Sequence, residues 1–215
     1  MSAILDYERD PAAIYRQSFA TVRSEADLSR LPEVLHPVAI RLIHACGMID
    51  VAEDLAFSED VLDAGRAALA GGAPVICDCQ MVAAGIIRQG LPAGNDVVVT
   101  LNDPRVPDLA RDMKTTRSAA AVSLWQDRLE GAMIAIGNAP TALFHLLEQL
   151  DGGWPRPAAI LAFPVGFVGA AEAKAELAAD PRHVPFLTLQ GRRGGSAMAS
   201  AAVNAIASGL PEERP

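Results

Sequence analysis

Five short apolar runs in the last two thirds of the chain constrain its fold more than any other feature. Each run is followed by a turn that contains Gly or Pro, and then by a segment whose apolar residues have helical spacing. The runs are residues 75–79, 97–101, 132–136, 158–163 and 186–189. Because parallel strands need long crossover connections and are apolar on both faces, this alternation predicts an α/β fold. We expect a three-layer, doubly wound, flavodoxin-like parallel sheet of about five strands.

The first third of the chain has a different pattern and predicts an all-helical lead-in over residues 1–72. Asp10 followed by Pro11 is a helix-start signal, and a second helix is expected to end at Gly47 in a left-handed conformation. A third helix is expected to begin at Ser58 and to end at Gly71. No linker separates the lead-in from the strand and helix units at 73–210, so we expect residues 1–215 to form one domain.

Composition excludes several classes of protein. With 215 residues, 51% of them hydrophobic and 20% charged, the chain is long and apolar enough to form one sizeable core. Its apolar runs are far shorter than the roughly 20 residues that span a bilayer. The N-terminus does not have the pattern of a signal peptide, so we expect a cytoplasmic protein. The net charge of -8 argues against nucleic acid or a membrane surface as partner.

Cysteine and histidine usage gives no sign of a disulfide framework or a metal site. The three cysteines are an odd number without framework spacing, and the four histidines are scattered without paired ligand spacing. We therefore expect no structural disulfide and no bound metal.

Basic residues lie where acids are absent. Residues 79–95, 113–126, 152–171 and 186–203 contain no Asp or Glu. They retain Arg88, Lys114, Arg117, Arg156, Arg192 and Arg193. If these stretches converge, they form a positive basin suited to an anionic small molecule, although an Arg-rich genome would also explain the sixteen arginines against two lysines.

The loops after the predicted strands are the expected site, because ligands of open parallel sheets bind at the carboxyl ends of the strands. Residues 191–198 form a Gly-rich turn with two arginines before an Ala-rich helix, which indicates either an anion-binding nest or a tight turn with solvated arginines. Residues 114–118 form a second cationic helix entry, whose hydroxyls either cap the helix or meet a ligand. Asn138 has the same two readings. No P-loop and no dinucleotide fingerprint is present.

His44 is the candidate for side-chain chemistry. The sequence has no Ser/His/Asp order, nucleophile elbow or pair of carboxylates, so proton transfer by a single histidine remains by elimination. Its place in the last turn of a helix favours the imidazolium through the helix dipole. The alternative is a histidine that only packs and forms hydrogen bonds.

Taken in order, several motifs resemble the precorrin-8X methylmutases of cobalamin biosynthesis, in the form found in the aerobic pathway. The resemblance covers nearly the whole chain. The motifs are residues 13–15, 18–20, 25–30, 44–47, 91–95, 116–121, 135–144, 164–172 and 194–198. Each is weak alone, and their order makes them specific. Cys79, Thr115 and Ala173 depart from the residues expected there.

The resemblance implies a cofactor-free isomerase that moves a methyl group from C-11 to C-12 of precorrin-8X and gives hydrogenobyrinate. It also implies a homodimer with the tetrapyrrole near the subunit interface, and a catalytic His44 that protonates a ring nitrogen. Ser18, Thr116 and Arg117 match positions expected at the substrate. We extend the substrate-binding prediction to other residues of these motifs and loops, namely Tyr15, Ser118, Asn138, Val165, Gly166, Arg192 and Ser196.

Two other functions remain open at this point. The first is a carrier that holds a tetrapyrrole product without turnover and hands it to the next enzyme of the pathway; an active isomerase could also make this transient hand-over. The second is a nucleotide-dependent enzyme, which rests on fold analogy alone.

Overall fold

The computed structural model describes residues 5–210. Its helices are α1 (Pro11–Glu25), α2 (His36–Cys46), α3 (Val61–Ala70), α4 (Gln80–Gly85), α5 (Val106–Asp112), α6 (Arg117–Val122), α7 (Gln126–Leu129), α8 (Pro140–Asp151), α9 (Ala170–Ala179) and α10 (Ser196–Ser208). The strands are β1 (Leu55–Phe57), β2 (Val75–Cys77), β3 (Val97–Val99), β4 (Met133–Ile136), β5 (Ala159–Ala162) and β6 (Phe186–Leu189). Short 3₁₀ segments occur at Glu33–Leu35, Ile49–Asp54 and Arg88–Gly90.

The six strands form one sheet in the order β1-β6-β5-β4-β2-β3. Strands β2 to β6 are parallel, and Val75 of β2 pairs with Val97 of β3 on one side and with Met133 of β4 on the other. Counted through the parallel strands alone, the order is 2-1-3-4-5, which is the flavodoxin-like order. The prediction of a doubly wound α/β fold is confirmed, and all five predicted strands are present.

Strand β1 was not predicted. The helical lead-in is present, but its residues Leu55–Phe57 form an antiparallel edge strand in which Leu55 pairs with Leu189. Hydrogen bonds extend the pairing at both ends, because Gln190 N donates to Asp54 O and Ser58 N donates to Phe186 O. Three residues are too few to show strand alternation, so the pairing with β6, not local sequence, makes this segment a strand.

Helices cover both faces of the sheet. Residues of α1, α2, α3, α4 and α10 pack with Cys77 and Leu161 on one face. Residues of α6, α7, α8 and α9 pack with Ile76 and Ile160 on the other. Neighbouring strand residues thus point to opposite layers, as a parallel sheet with a core on each side requires.

The ends of α1 and α2 fix the region around His44. Asp10 caps α1 by accepting from the backbone N–H groups of Ala12 and Ala13, and α2 ends at Gly47, whose φ is +70°. Glycine adopts this left-handed conformation without steric cost, and the turn places His44 in the last turn of α2, as predicted. The third predicted helix is also present, but it begins at Val61, after Ser58.

The carboxyl end of β4 lies against the first turn of α10 at Gly137. A Cβ added there would lie 2.7 Å from the Cα of Ser196, 2.8 Å from a methyl group of Val82 and 2.9 Å from the Cβ of Ala199. The backbone after β4 can approach the backbone of α10 this closely because residue 137 is a glycine, which has no Cβ.

We predict that Gly137→Ala lowers the free energy of unfolding by about 1–3 kcal/mol, because the added methyl group overpacks a rigid contact. Urea unfolding followed by circular dichroism measures this change. The matched control is Gly71→Ala after α3, where an added Cβ would lie 3.3 Å from its nearest neighbour, the carbonyl oxygen of Ala67. Equal losses of stability in the two variants would contradict the prediction.

Candidate functional site

His44 lies beside three side chains of α1. Its Nδ1 is 2.8 Å from the Oγ of Ser18, and its ring centroid is 5.5 Å from that of Tyr15. The buried ring of Phe19 packs against it at 5.1 Å in an edge-on arrangement. Tyr15, Ser18 and Phe19 share one helical face because they are spaced three and four residues apart. This face of α1 holds the imidazole from one side.

The Ser18 hydroxyl determines how His44 can handle a proton. When Ser18 donates to Nδ1, the neutral ring carries its proton on Nε2, and when Ser18 accepts, Nδ1 carries it. The arrangement therefore leaves one ring nitrogen for exchange with a ligand while the other is oriented by the protein.

A groove of about 490 Å³ lies on one side of His44 between α2, α4 and α10. It is lined by Arg41, His44, Ala45, Met81, Gly85, Ser196, Ala197, Ser200, Ala201 and Asn204. A second depression of about 270 Å³ is also lined by His44, together with Ser18 and Gly47. His44, which is itself exposed, thus lines two accessible spaces.

Electrostatics at His44 differ from the sequence-based expectation. Partial burial, and after it the positive charge of Arg41, lower the pKa of the His44 imidazole. The expectation that the helix dipole would make this residue easier to protonate is wrong in direction. Arg41 lies one turn before His44, is 6% exposed and donates to the carbonyl of Gly209.

Asp78 joins the ends of β2 and β4. Its carboxylate accepts from the backbone N–H groups of Gly137, Asn138 and Ala139 at 3.0, 2.9 and 2.8 Å, and the residue is 3% exposed. Burial raises the pKa of Asp78, and the three backbone hydrogen bonds oppose that rise. The three donors lie in the turn before α8, and no side-chain hydrogen bond caps that helix, so the capping role considered for Asn138 is wrong.

This contact occupies the place where open α/β sheets usually bind phosphate. The strand order reverses between β2 and β4, and α8 begins at that point. The backbone N–H groups of the turn before α8 thus hold a carboxylate of the chain itself.

Thr116, Arg117 and Ser118 lie at the start of α6, as predicted. Thr116 caps the helix through an Oγ1 that accepts from Ala119 N, and the same Oγ1 is 2.8 Å from Thr141 Oγ1 at the start of α8. Arg117 is exposed and donates to the carbonyl of Leu101 at 3.3 Å, while Ser118 is partly buried. Capping by Thr116 is therefore confirmed, and the guanidinium of Arg117 remains at the surface.

The Gly-rich turn before α10 only partly matches the expected nest. Arg193 pairs with Asp50 and Asp54, each at 2.6 Å, so the prediction of two guanidinium groups facing a ligand is wrong for Arg193. Arg192 is exposed, and its guanidinium lies 5.6 Å from the ring centroid of Phe167.

Two more predicted residues, Val165 and Gly166, lie in the loop that contacts this turn. The N–H of Gly166 donates to the carbonyl of Arg192 at 3.1 Å, and Val165 is exposed. Ser196 follows the turn itself. It is 8% exposed, lines the groove, and its Oγ is 3.5 Å from the Sγ of Cys79.

The predicted residues thus fall into two groups. Tyr15 and Ser18 contact His44, and Ser196 lines the same groove. The other predicted residues lie in loops or helix starts at the carboxyl ends of the strands, and the described contacts do not join them to His44. They are Thr116, Arg117, Ser118, Asn138, Val165, Gly166 and Arg192.

Sequence reasoning missed Arg41, Asp78 and Asn204. Asn204 donates to the carbonyl of Gly85 and accepts from Ile87 N, so it joins α10 to the end of α4 beside the groove. A signal for Asn204 existed, because it is a lone amide in an otherwise small and apolar helix. Asp78 had a weaker signal, as a single acid directly after an apolar run.

Residues 5–210 contain neither a metal-binding cluster nor a membrane-spanning helix. No group of three or more His, Cys, Asp or Glu side chains is placed to hold a metal ion. In the same range, no helix combines the length and the apolar character needed to cross a bilayer.

We predict that Arg41→Gln raises the pKa of His44, because the substitution removes the positive charge that disfavours the imidazolium. Titration of the imidazole Cε1–H signals by NMR measures this pKa, and the signals of His36, His145 and His183 serve as internal controls. A His44 pKa that stays the same or falls in Arg41→Gln would contradict the assignment of this cause.

Several known proteins are similar to this chain over nearly its whole length. The sequence model described as precorrin-8X methylmutase matches residues 13–209. A precorrin-8X methylmutase of Pseudomonas aeruginosa is 60% identical over 95% of this chain and 98% of its own. A cobalt-precorrin-8 methylmutase of Priestia megaterium is 35% identical over 91% of this chain and 87% of its own. The crystal structure of a precorrin-8X methylmutase from Thermus thermophilus superposes with a TM-score of 0.81 at 38% identity, covering 91% of this chain and 94% of that one.

Proposed function

Because the chain belongs to the precorrin-8X methylmutase family, and is thus an isomerase of cobalamin biosynthesis that catalyses a methyl migration, we propose that His44 exchanges the proton on which this migration depends. One observation carries the proposal. The imidazole is exposed, oriented by Ser18 at 2.8 Å, and borders a groove of about 490 Å³. A proton-transfer group needs both a fixed orientation and access to its ligand.

The proposed reaction moves the methyl group from C-11 to C-12 of precorrin-8X and gives hydrogenobyrinate. The protonated His44 gives its proton to a ring nitrogen, the bond from the methyl carbon to C-11 breaks as the bond to C-12 forms, and the proton then leaves the ring nitrogen. No proton is consumed overall. Because burial and Arg41 lower the pKa of His44, its protonated form is a stronger acid than a free imidazolium.

Substrate binding is proposed at the loops after the strands. The acetate and propionate groups of the tetrapyrrole meet Arg117 and Arg192, and planar guanidinium groups suit carboxylates. Supporting this, neither arginine forms an ion pair with a described residue; Arg117 contacts a carbonyl, and Arg192 lies over the ring of Phe167. The remaining proposed contacts are Tyr15, Ser18, Thr116, Ser118, Asn138, Val165, Gly166 and Ser196.

The cobalt-free tetrapyrrole is the proposed substrate. The Pseudomonas aeruginosa relative, which is 60% identical, carries the name precorrin-8X methylmutase, whereas the cobalt-precorrin-8 relative described above is 35% identical. This supports the aerobic type of reaction that the sequence motifs imply.

We also propose that the enzyme acts as a homodimer. Phe167 and Val168 are 85% and 88% exposed in the loop after β5, and they continue the exposed side chain of Val165. Apolar side chains grouped in this way at a surface support contact with a second copy. Transient hand-over of the product to the next enzyme and a cytoplasmic location remain predictions.

We predict that His44→Ala lowers the rate of precorrin-8X conversion by roughly 100- to 10,000-fold, the usual contribution of a general acid. The visible spectrum distinguishes substrate from product and follows the reaction directly. Binding of hydrogenobyrinate should be retained, since the groove and the arginines are unchanged. Conversion at the wild-type rate would remove His44 from the mechanism, and wild-type protein that binds product without turnover would favour the carrier alternative.

We predict that Arg117→Ala raises KM for precorrin-8X by roughly 10- to 150-fold, because a hydrogen bond to a charged group contributes roughly 1.5–3 kcal/mol. Arg9→Ala is the matched control, since Arg9 is also exposed and its contacts with described residues are to Leu5, Tyr7 and Glu8, before α1. Steady-state kinetics on both variants provide the comparison. The same KM in both would show that Arg117 does not hold the substrate.

A further inference from the structure

Lys174 of α9 is a buried cation that the proposed mechanism does not use. It is 0% exposed, and its Nζ donates a hydrogen bond to the backbone carbonyl of Arg193. Burying an ammonium group is unfavourable unless other interactions offset it. An apolar side chain of similar length would fill the same space without that cost, so the buried charge indicates a role other than stabilising the fold.

The residue that Lys174 contacts is bound from a second direction. The guanidinium of Arg193 pairs with Asp50 and Asp54, each at 2.6 Å. Both carboxylates belong to the 3₁₀ segment Ile49–Asp54, which follows α2 and therefore follows His44. Gln190 N also donates to Asp54 O at 2.8 Å, so the loop after β6 is attached to this segment by backbone and by side chain.

The same loop leads directly into the groove. Gly195 N donates to the carbonyl of Phe163 at 2.8 Å, and the next residue, Ser196, begins α10 and lines the groove with His44. Two walls of the groove, the end of α2 and the start of α10, are thus connected through Arg193. Lys174 fixes the backbone at that connection.

We propose that Lys174 is a positioning residue for the methyl shift, which holds the Arg193 carbonyl so that the start of α10 and the end of α2 keep their spacing around the groove. This inference rests on the proposed role of His44. It assigns no contact with the substrate to Lys174.

The titration of Lys174 agrees with a residue retained at a cost in stability. Burial, and after it the positive charge of Arg193, lower the pKa of Lys174 to about 8, while the negative charge of Asp54 acts in the opposite direction. The other carboxylate of this cluster is Asp50, which pairs with Arg193. Because the unfolded chain has the higher pKa, it binds more protons between pH 8 and the ordinary lysine pKa of about 10.5. The cost of the buried charge is therefore fully present at neutral pH and is relieved as pH rises through that window.

The test is Lys174→Met, with unfolding temperature and kinetics measured on the same preparation. We expect an unfolding temperature at pH 7 that is unchanged or higher, and a kcat lowered about 10- to 100-fold by displacement of the groove walls. KM should change less than kcat. The wild type should gain in unfolding temperature between pH 7 and pH 9.5 as Lys174 loses its proton. Lys174→Met should lack this gain.

Arg182→Met is the matched control. Arg182 also pairs with two carboxylates, Asp151 and Glu176, and Glu176 belongs to the same helix as Lys174. This cluster lies outside the residues that line the groove. We expect Arg182→Met to lower the unfolding temperature while kcat stays at the wild-type value.

A second variant keeps the inference testable if Lys174→Met does not fold. Asp54→Asn weakens the bond to Arg193 and leaves the Lys174 side chain in place, and it should also lower kcat. Wild-type kcat in either folded variant would overturn the inference, as would a kcat loss in Arg182→Met equal to that in Lys174→Met. His44→Ala belongs in the same series: if it is inactive while Lys174→Met is fully active, only the role of Lys174 is wrong, whereas full activity in His44→Ala contradicts the proposed mechanism itself.

Discussion

The Asp78 carboxylate, held by three backbone N–H groups, is the interaction on which the arrangement of the site depends. It connects β2 and β4 where the strand order reverses and where a flavodoxin-like sheet would otherwise have an open crevice. A buried carboxylate is tolerated there because each donor is fixed by the turn before α8. The accessible groove beside His44 lies between α2, α4 and α10, and one of its residues, Ser196, lies against Gly137, whose N–H Asp78 holds.

His44 shows two physical effects in competition. A helix C-terminus stabilises an imidazolium by roughly 0.3–1 kcal/mol when exposed, which is less than one pKa unit at 1.36 kcal/mol per unit. Burial against Phe19 and α1, together with the charge of Arg41, acts in the opposite direction and decides the sign. The imidazole therefore rests neutral more readily than a free histidine and donates more readily once protonated. Both properties suit the proposed role of His44 as a proton donor.

Much of the fold could be predicted because its signals are local. Apolar runs predicted all five parallel strands, and Asp10 and Gly47 predicted two helix ends correctly. Strand β1 was missed because three residues carry no periodic pattern and its partner, β6, lies more than 120 residues later in the chain. Asp78 and Arg41 were missed for a similar reason, since what each contributes depends on groups that only the folded chain brings near.

The predicted positive basin shows why spacing alone could not identify the site. The sequence grouped Arg192 and Arg193 because they are adjacent and far from any acid. Folding brings Asp50 and Asp54 from the acid-rich first third onto Arg193, which turns that arginine into a connection between two walls of the groove. Arg192, one residue earlier, faces the surface beside Phe167. The two neighbouring guanidinium groups therefore have different roles, because that of Arg193 is structural and that of Arg192 is open to an anionic ligand. The acids that pair with Arg193 lie about 140 residues earlier in the sequence.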